Sequence, residues 1–158
     1  SERRTDMPAR HGFTLVELLI VVIILGVLAA IVVPQFSDVT AESRESALHQ
    51  DVQKMRSAIA LYRVQHNEIY PGQGGWAEFV TQMTTQTDQA GNAGTKYGPY
   101  VRPPWPKNTV SGLNSGKNVG SMPAAADDAT GWIYQPSTGE IRANNSGAGP
   151  SGTNYFDL

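Results

Sequence analysis

Phe13-Thr14-Leu15-Val16-Glu17-Leu18-Leu19-Ile20-Val21-Val22-Ile23-Ile24-Leu25-Gly26-Val27-Leu28-Ala29-Ala30-Ile31-Val32-Val33, followed by Pro34, is the stretch that decides how the chain is read. These 21 residues carry one charge, Glu17. As a helix rising about 1.5 Å per residue they reach about 31 Å, the thickness of the hydrocarbon of a bilayer. The run is apolar on every side, which a small soluble domain has little use for. The sequence therefore predicts an apolar transmembrane helix over residues 13–34.

Glu17 makes this more than an anchor. A carboxylate on the apolar side of a membrane interface is costly unless it is neutralised, paired or drawn to the headgroups, and such groups tend to be functional. Headgroup depth alone is one reading. The sharper one uses Arg10-His11-Gly12, directly before Phe13. A cut after Gly12 would leave Phe13 with a free α-amino group, whose reference pKa is about 7.7–8.0. In an apolar bundle that cation is the partner a buried glutamate of a neighbouring copy needs. The amine of the same chain is a poor partner, lying about a turn away along the same axis.

Arg10-His11-Gly12 followed by Phe13-Thr14-Leu15-Val16-Glu17-Leu18 and an apolar helix resembles the class III signal of type IV pilins and type II secretion pseudopilins. Gly26 and Pro34 also stand where that family has them. The resemblance is specific for residues 10–34 and weakens beyond about residue 70. It implies processing by a prepilin peptidase, with cleavage after Gly12 and N-methylation of Phe13. It also implies assembly into a helical homopolymer by an inner-membrane platform and an ATPase, alongside minor pseudopilins. The chain has no Cys, so disulfides and thiolate zinc sites are excluded. Many type IV pilins carry a C-terminal disulfide, so the absence leans toward the pseudopilins.

Residues 1–12 read as a leader, with Arg3, Arg4 and Arg10 against Glu2 and Asp6. Basic residues flanking the span keep that end cytoplasmic and send the rest across. A secretory signal peptide competes, with Ala29-Ala30 imitating its cleavage site. Met7 is an alternative start, giving a six-residue leader. Net charge is −2, with no basic surface for nucleic acid. Pro34 removes a backbone donor and Gly26 lowers helix propensity by about 1 kcal/mol relative to Ala, so residues 26–34 are the weakest part of the helix. The functional reading is a helix break that loosens when the subunit leaves the bilayer; the bland one is a kink.

From residue 35 to residue 66 the pattern becomes amphipathic. Leu48, Val52, Met55, Ile59 and Tyr62 recur at spacings of four and three, an apolar stripe. Glu45, His49, Asp51, Lys54, Arg56 and Arg63 read as a solvated face. One helix, its stripe covered by a sheet, is the expectation; a free coiled coil is the alternative. Tyr70-Pro71-Gly72 and Gly74-Gly75 are read as the helix stop, and Trp76, Phe79, Val80 and Met83 as a second short helix. Residues 84–131 read as a long loop pinned by Tyr97, Tyr100, Val101, Trp105, Val110, Leu113, Val119 and Met122, with a weak hairpin between Val110 and Val119. Trp132-Ile133-Tyr134-Gln135, Pro136-Ser137-Thr138-Gly139 and Glu140-Ile141-Arg142-Ala143 predict a β-hairpin, resembling the C-terminal sheet segment of major pseudopilins. Residues 145–153 read as mobile, with Tyr155-Phe156 docking the end.

No enzyme is read from the chain. His11, His49 and His66 combine with no Ser and Asp in a hydrolase arrangement, and Gly72-Gln73-Gly74-Gly75 lacks the lysine of a phosphate loop. No catalytic residue and no metal site is assigned. Asp127-Asp128 is the one place where calcium is considered, with Asp88 or Asp157 joining from afar; the bland reading is a solvated loop. The expectation is thus an α+β, pilin-like protein, with one long N-terminal helix packed against a small antiparallel sheet with long loops. Its segments are a leader (1–12), an apolar helix (13–34), an amphipathic continuation (35–66) and a C-terminal globular region (67–158). The function implied is a structural subunit of a pseudopilus of type II secretion, held in a bacterial inner membrane with the C-terminal region periplasmic and then in a periplasmic or extracellular filament. The alternatives are a type IV pilus subunit (adhesion, motility or DNA uptake) and a single-span anchored binding module that does not polymerise.

Overall fold

The computed structural model describes residues 12–158, with side chains described for all of them except residues 31–38. Residues 1–11, most of the expected leader, and the side chain of Pro34 therefore lie outside the described residues. The chain divides into two compact units, Ser1–Asp38 and Val39–Leu158. The helix α1 (Leu15–Gln65) contributes to both.

In the first unit every large apolar side chain from Phe13 to Leu28 is exposed, from 46% at Val21 to 88% at Leu15. Exposure on all faces is what a run without a polar side must show when a single chain has nothing to lay against it. Among the described residues no helix is long and apolar enough to cross a membrane. The helical part of the run with described side chains, from Leu15 to Ala30, reaches only about 24 Å at about 1.5 Å per residue. A span of about 30 Å needs the last apolar residues, 31–33, as well.

In the second unit α1 is amphipathic. Leu48, Val52, Met55, Ile59 and Tyr62 are all buried, so the four-and-three spacing gave the core face correctly. The helix stops earlier than the Tyr70-Pro71-Gly72 cluster. Asn67 and Glu68 take left-handed backbone (φ 56° and 62°), and the Glu68 N–H bonds back to the Arg63 carbonyl at 3.0 Å. That is a Schellman-type end, with Asn in the position glycine usually fills.

The second helix, α2 (Trp76–Thr84), buries Phe79 and Met83. The sheet has three strands in the order β1 (Gly116–Asn118), β2 (Trp132–Gln135), β3 (Glu140–Ala143). It is mixed, not antiparallel throughout: β2 and β3 form the expected antiparallel hairpin, while β1 runs parallel to β2, with Lys117 opposite Ile133. No hairpin joins Val110 to Val119. Residues 108–113 instead close a turn, in which the Asn108 N–H bonds to the Leu113 carbonyl and Asn108 Oδ1 accepts the Val110 and Ser111 amides. The Leu113 side chain is exposed, and it is the carbonyl of this residue that closes the turn. At the hairpin tip Gly139 has φ 73°, the left-handed backbone that closes the turn opened by Pro136.

The core lies between the α1 stripe, α2 and one sheet face. Trp132, Tyr134, Ile141 and Ala143 meet Phe79, Met83 and Trp105 there. Tyr134 donates to the Pro71 carbonyl at 3.0 Å, and burial pushes its phenol pKa up. The loop of residues 84–131 is pinned by Trp105, which is buried, and by the half-buried Tyr100, Val101 and Val110. Ile133, on the opposite sheet face, is also fully buried. Its cross-strand neighbour Arg142 lies 5.0 Å from the Phe156 ring centre, in the 3-10 turn Tyr155–Asp157. Residues 145–153 are not a loose tail: Asn145 is buried against Asn108, Ser146 is held by Asp128, and Ser151 binds Glu45.

Candidate functional site: the N-terminal end of the apolar helix

The residues singled out for processing and assembly, Gly12, Phe13 and Glu17, sit at the start of α1. Phe13 is 80% exposed, and nothing lies within 4 Å of where a Cβ on Gly12 would stand. Thr14 is the residue before the first helical position, and its carbonyl accepts the Leu18 N–H at 3.3 Å. Glu17 Oε2 accepts both the Thr14 N–H and the Thr14 hydroxyl at 2.8 Å, while Thr14 Oγ1 accepts the Glu17 N–H at 3.2 Å. This reciprocal pair is a capping box, satisfying donors that the first helical turn leaves open. Reading Glu17 only as a charge missed it, although Thr14-Leu15-Val16-Glu17 carries the S/T-x-x-E signature in plain view.

The capping box has a consequence that can be measured. Thr14→Ala is expected to cost about 1 kcal/mol of first-turn stability, seen as faster amide exchange at residues 15–18 in detergent micelles. Thr14→Ser should restore protection. Unchanged exchange in the alanine variant would show that the cap contributes nothing.

Gly26 and Pro34 both fall within the helical bounds of α1, and a Cβ on Gly26 would meet nothing within 4 Å. Among the described residues, no close neighbour therefore requires the glycine.

Asp127 and Asp128 are held by protein groups. Asp127 pairs with Lys117, accepts the Asn144 amide at 2.7 Å and accepts the Ala129 N–H at 3.2 Å. Asp128 accepts the Ser146 N–H and hydroxyl. Asp88 is occupied by the Ala90 and Asn92 amides, and Asp157 by Arg142 and Asn154. Among the described residues no group of three or more His, Cys, Asp or Glu side chains is placed to hold a metal ion. His66, read among scattered histidines, is a core residue: its Nδ1 faces the Tyr62 carbonyl at 2.8 Å, its Nε2 meets the Thr87 hydroxyl at 2.9 Å, and its ring stacks on Tyr62 at 3.7 Å. The carbonyl can only accept, so Nδ1 carries the proton.

The Asp127 contacts set a pH dependence. Hydrogen bonds from Lys117, then Asn144 and Ala129, hold its carboxyl down at about 2, from an ordinary 3.8. A depressed carboxyl contributes stability above the unfolded value, and that contribution is lost as pH falls through the folded one. The melting temperature of the full chain in detergent should therefore drop between about pH 4 and pH 2, and Asp127→Asn should flatten that part of the curve. An identical acid limb in the variant would remove Asp127 from the account.

Comparison with known proteins places this end of the chain. Residues 7–33 match the prokaryotic N-terminal methylation motif. The chain is 41% identical over 63 residues to a fimbrial protein of Pseudomonas aeruginosa, covering 40% of this chain and 41% of that one. It is 32% identical over 79 residues to type II secretion system core protein G of Pectobacterium carotovorum subsp. carotovorum, covering 50% and 51%. A type IV narrow pilus major component of Thermus thermophilus is 44% identical over 58 residues, 37% of this chain and 50% of that protein. The chain spans about half the length of the curated relatives it matches, or somewhat less. No solved structure is a significant match.

Proposed function

We propose that this chain is a structural subunit of a pilin-like helical filament, and more narrowly of a type II secretion pseudopilus. The observation that carries the reading is the apolar helix, exposed on every side from Phe13 to Leu28 and headed by one carboxylate, within a methylation motif. So much uncovered apolar surface must lie in lipid or against other copies. In the membrane the helix serves as an anchor, with Arg3, Arg4 and Arg10 cytoplasmic and the Val39–Leu158 unit periplasmic. A prepilin peptidase removes residues 1–12 and methylates Phe13, and an assembly platform draws the subunit out.

In the filament the apolar helices exchange lipid for one another, and Glu17 meets the methylated amine of Phe13 on the next copy, which fixes the axial register. Both Thr14 bonds go to the same oxygen, Oε2. Oε1 is then the oxygen that meets the amine, so cap and intermolecular pair are compatible. The stretch between Gly26 and Pro34 loosens on leaving the bilayer and lets the filament lengthen.

Two observations support the pseudopilus over a surface pilus: the lack of cysteine, and the longer reach of the similarity to core protein G, 79 residues against 63 for the fimbrial protein. The higher identity to pilins over the shorter stretch favours the second reading, a type IV pilus subunit. No enzymatic role is proposed, and the carboxylates of Asp127 and Asp128 are read as bracing their loop through Lys117, Asn144 and Ser146. The test is the mass of the chain's N-terminus after expression with a prepilin peptidase. A chain beginning at methylated Phe13 is expected; an intact leader would leave an anchored module that does not polymerise.

A further inference from the structure

The sequence pattern puts Glu45 on the solvated face of α1, yet it is only 8% exposed. Its carboxyl makes no ion pair among the described residues. It is taken instead by one residue far along the chain: the Ser151 hydroxyl donates to Oε1 and the Ser151 N–H to Oε2 at 3.2 Å. The loop presenting Ser151 is closed on itself, with the Gly149 N–H on the Thr153 carbonyl at 3.0 Å and the Tyr155 N–H on the Gly147 carbonyl at 3.1 Å. Gly149 faces Glu45 so closely that a Cβ there would collide with the carboxyl. Beyond the loop, Phe156 is buried against Arg142, and Asp157 pairs with the same guanidinium at 3.7 Å. A cavity of about 580 Å³ lies where the loop meets α1, with Glu42, Glu45, Arg56, Ser151 and Asp157 in its wall.

We infer that residues 145–158 form a strap over the second face of the sheet, latched to α1 by the Glu45–Ser151 contact and able to open while the core stays closed. The core face is held by interlocked aromatic and aliphatic side chains, whereas the strap is held by polar bonds, the ring of Phe156 and the half-buried Tyr155 and Leu158 at the edge of the core. Local opening follows that contrast, because segments with few apolar contacts open at lower free energy than the core. Opening uncovers the Arg142 face of the sheet, and the buried carboxyl of Glu45 decides whether the strap is down.

The test is amide hydrogen exchange on the full chain in detergent micelles. Glu45→Ala is expected to speed exchange at residues 147–156 by roughly tenfold or more while residues 48–62 keep wild-type protection. Ser151→Ala and Gly149→Ala, which leave α1 untouched, should do the same, the second by pushing the Glu45 carboxyl aside; they decide the matter if Glu45→Ala fails to fold. The double variant Glu45→Ala/Ser151→Ala should exchange no faster than either single one, because both remove the same contact. Unchanged exchange of the strap, or strap and core accelerating together, would overturn the inference.

Discussion

Glu17→Ala is expected to leave the chain inserted and processed but unassembled. On the proposed pairing, the variant removes the carboxylate and would leave the neighbour's methylated amine shielded and unpaired, a cost of about 3–5 kcal/mol per contact. A penalty of that size corresponds to a fall of roughly 150- to 4,000-fold in the association constant at each step of growth. Sedimentation of material sheared from the cells reads it directly, with the variant missing from the filament fraction and staying with the membranes. Because Glu17 also caps its own helix through Thr14, alanine alone confounds two roles. Glu17→Gln separates them: glutamine still serves in a capping box but carries no charge. Assembly lost in Glu17→Gln as well, with mild effects from Thr14→Ala, assigns the defect to the charge. Assembly retained in Glu17→Gln would assign it to the cap. Glu17→Asp keeps a shorter carboxylate and should fall between.

Trp132→Ala is expected to be the most damaging single change in the Val39–Leu158 unit. The side chain is fully buried in the core, and its indole N–H donates to the Pro106 carbonyl at 3.1 Å, tying the long loop to β2. Truncating a buried tryptophan costs about 3–5 kcal/mol through lost burial and the cavity left behind, and orphaning the carbonyl adds about 1 kcal/mol. Against a typical domain stability of about 5–15 kcal/mol this lowers the melting temperature by roughly 10–20 °C. Near-ultraviolet circular dichroism of the full chain in detergent would follow it. Trp132→Phe keeps most of the ring volume and loses the hydrogen bond, so a much smaller drop is expected. A shift of only a few degrees in Trp132→Ala would mean that the core does not depend on this residue.

What could be read from sequence was what local periodicity controls. The spacing of Leu48, Val52, Met55, Ile59 and Tyr62 determines one helix face, and every one of them is buried. Pro136 and Gly139 determine their own turn, and β2 and β3 pair across it in the expected antiparallel register. Strand β1 was illegible because Gly116-Lys117-Asn118 has no strand propensity of its own. It becomes a strand because the Gly131 and Trp132 N–H groups both reach the Ser115 carbonyl, and because Gly116 lets the Trp76 ring lie against its backbone. The helix stop moved to Asn67-Glu68 for a similar reason, since asparagine tolerates left-handed backbone and need not wait for a glycine. Glu45 looked solvated because its partner, Ser151, is 106 residues away and no pattern connects the two. At the N-terminal end the methylation motif over residues 7–33 was legible in the sequence. The capping box is equally visible in Thr14-Leu15-Val16-Glu17, where one carboxylate serves as both a helix cap and a charge.

The most direct test is electron microscopy of the chain produced with a prepilin peptidase and an assembly platform and then sheared from the cells. Helical fibres built of subunits that begin at methylated Phe13 are expected. Correctly trimmed chains that remain dispersed as single molecules would contradict the filament reading at its root.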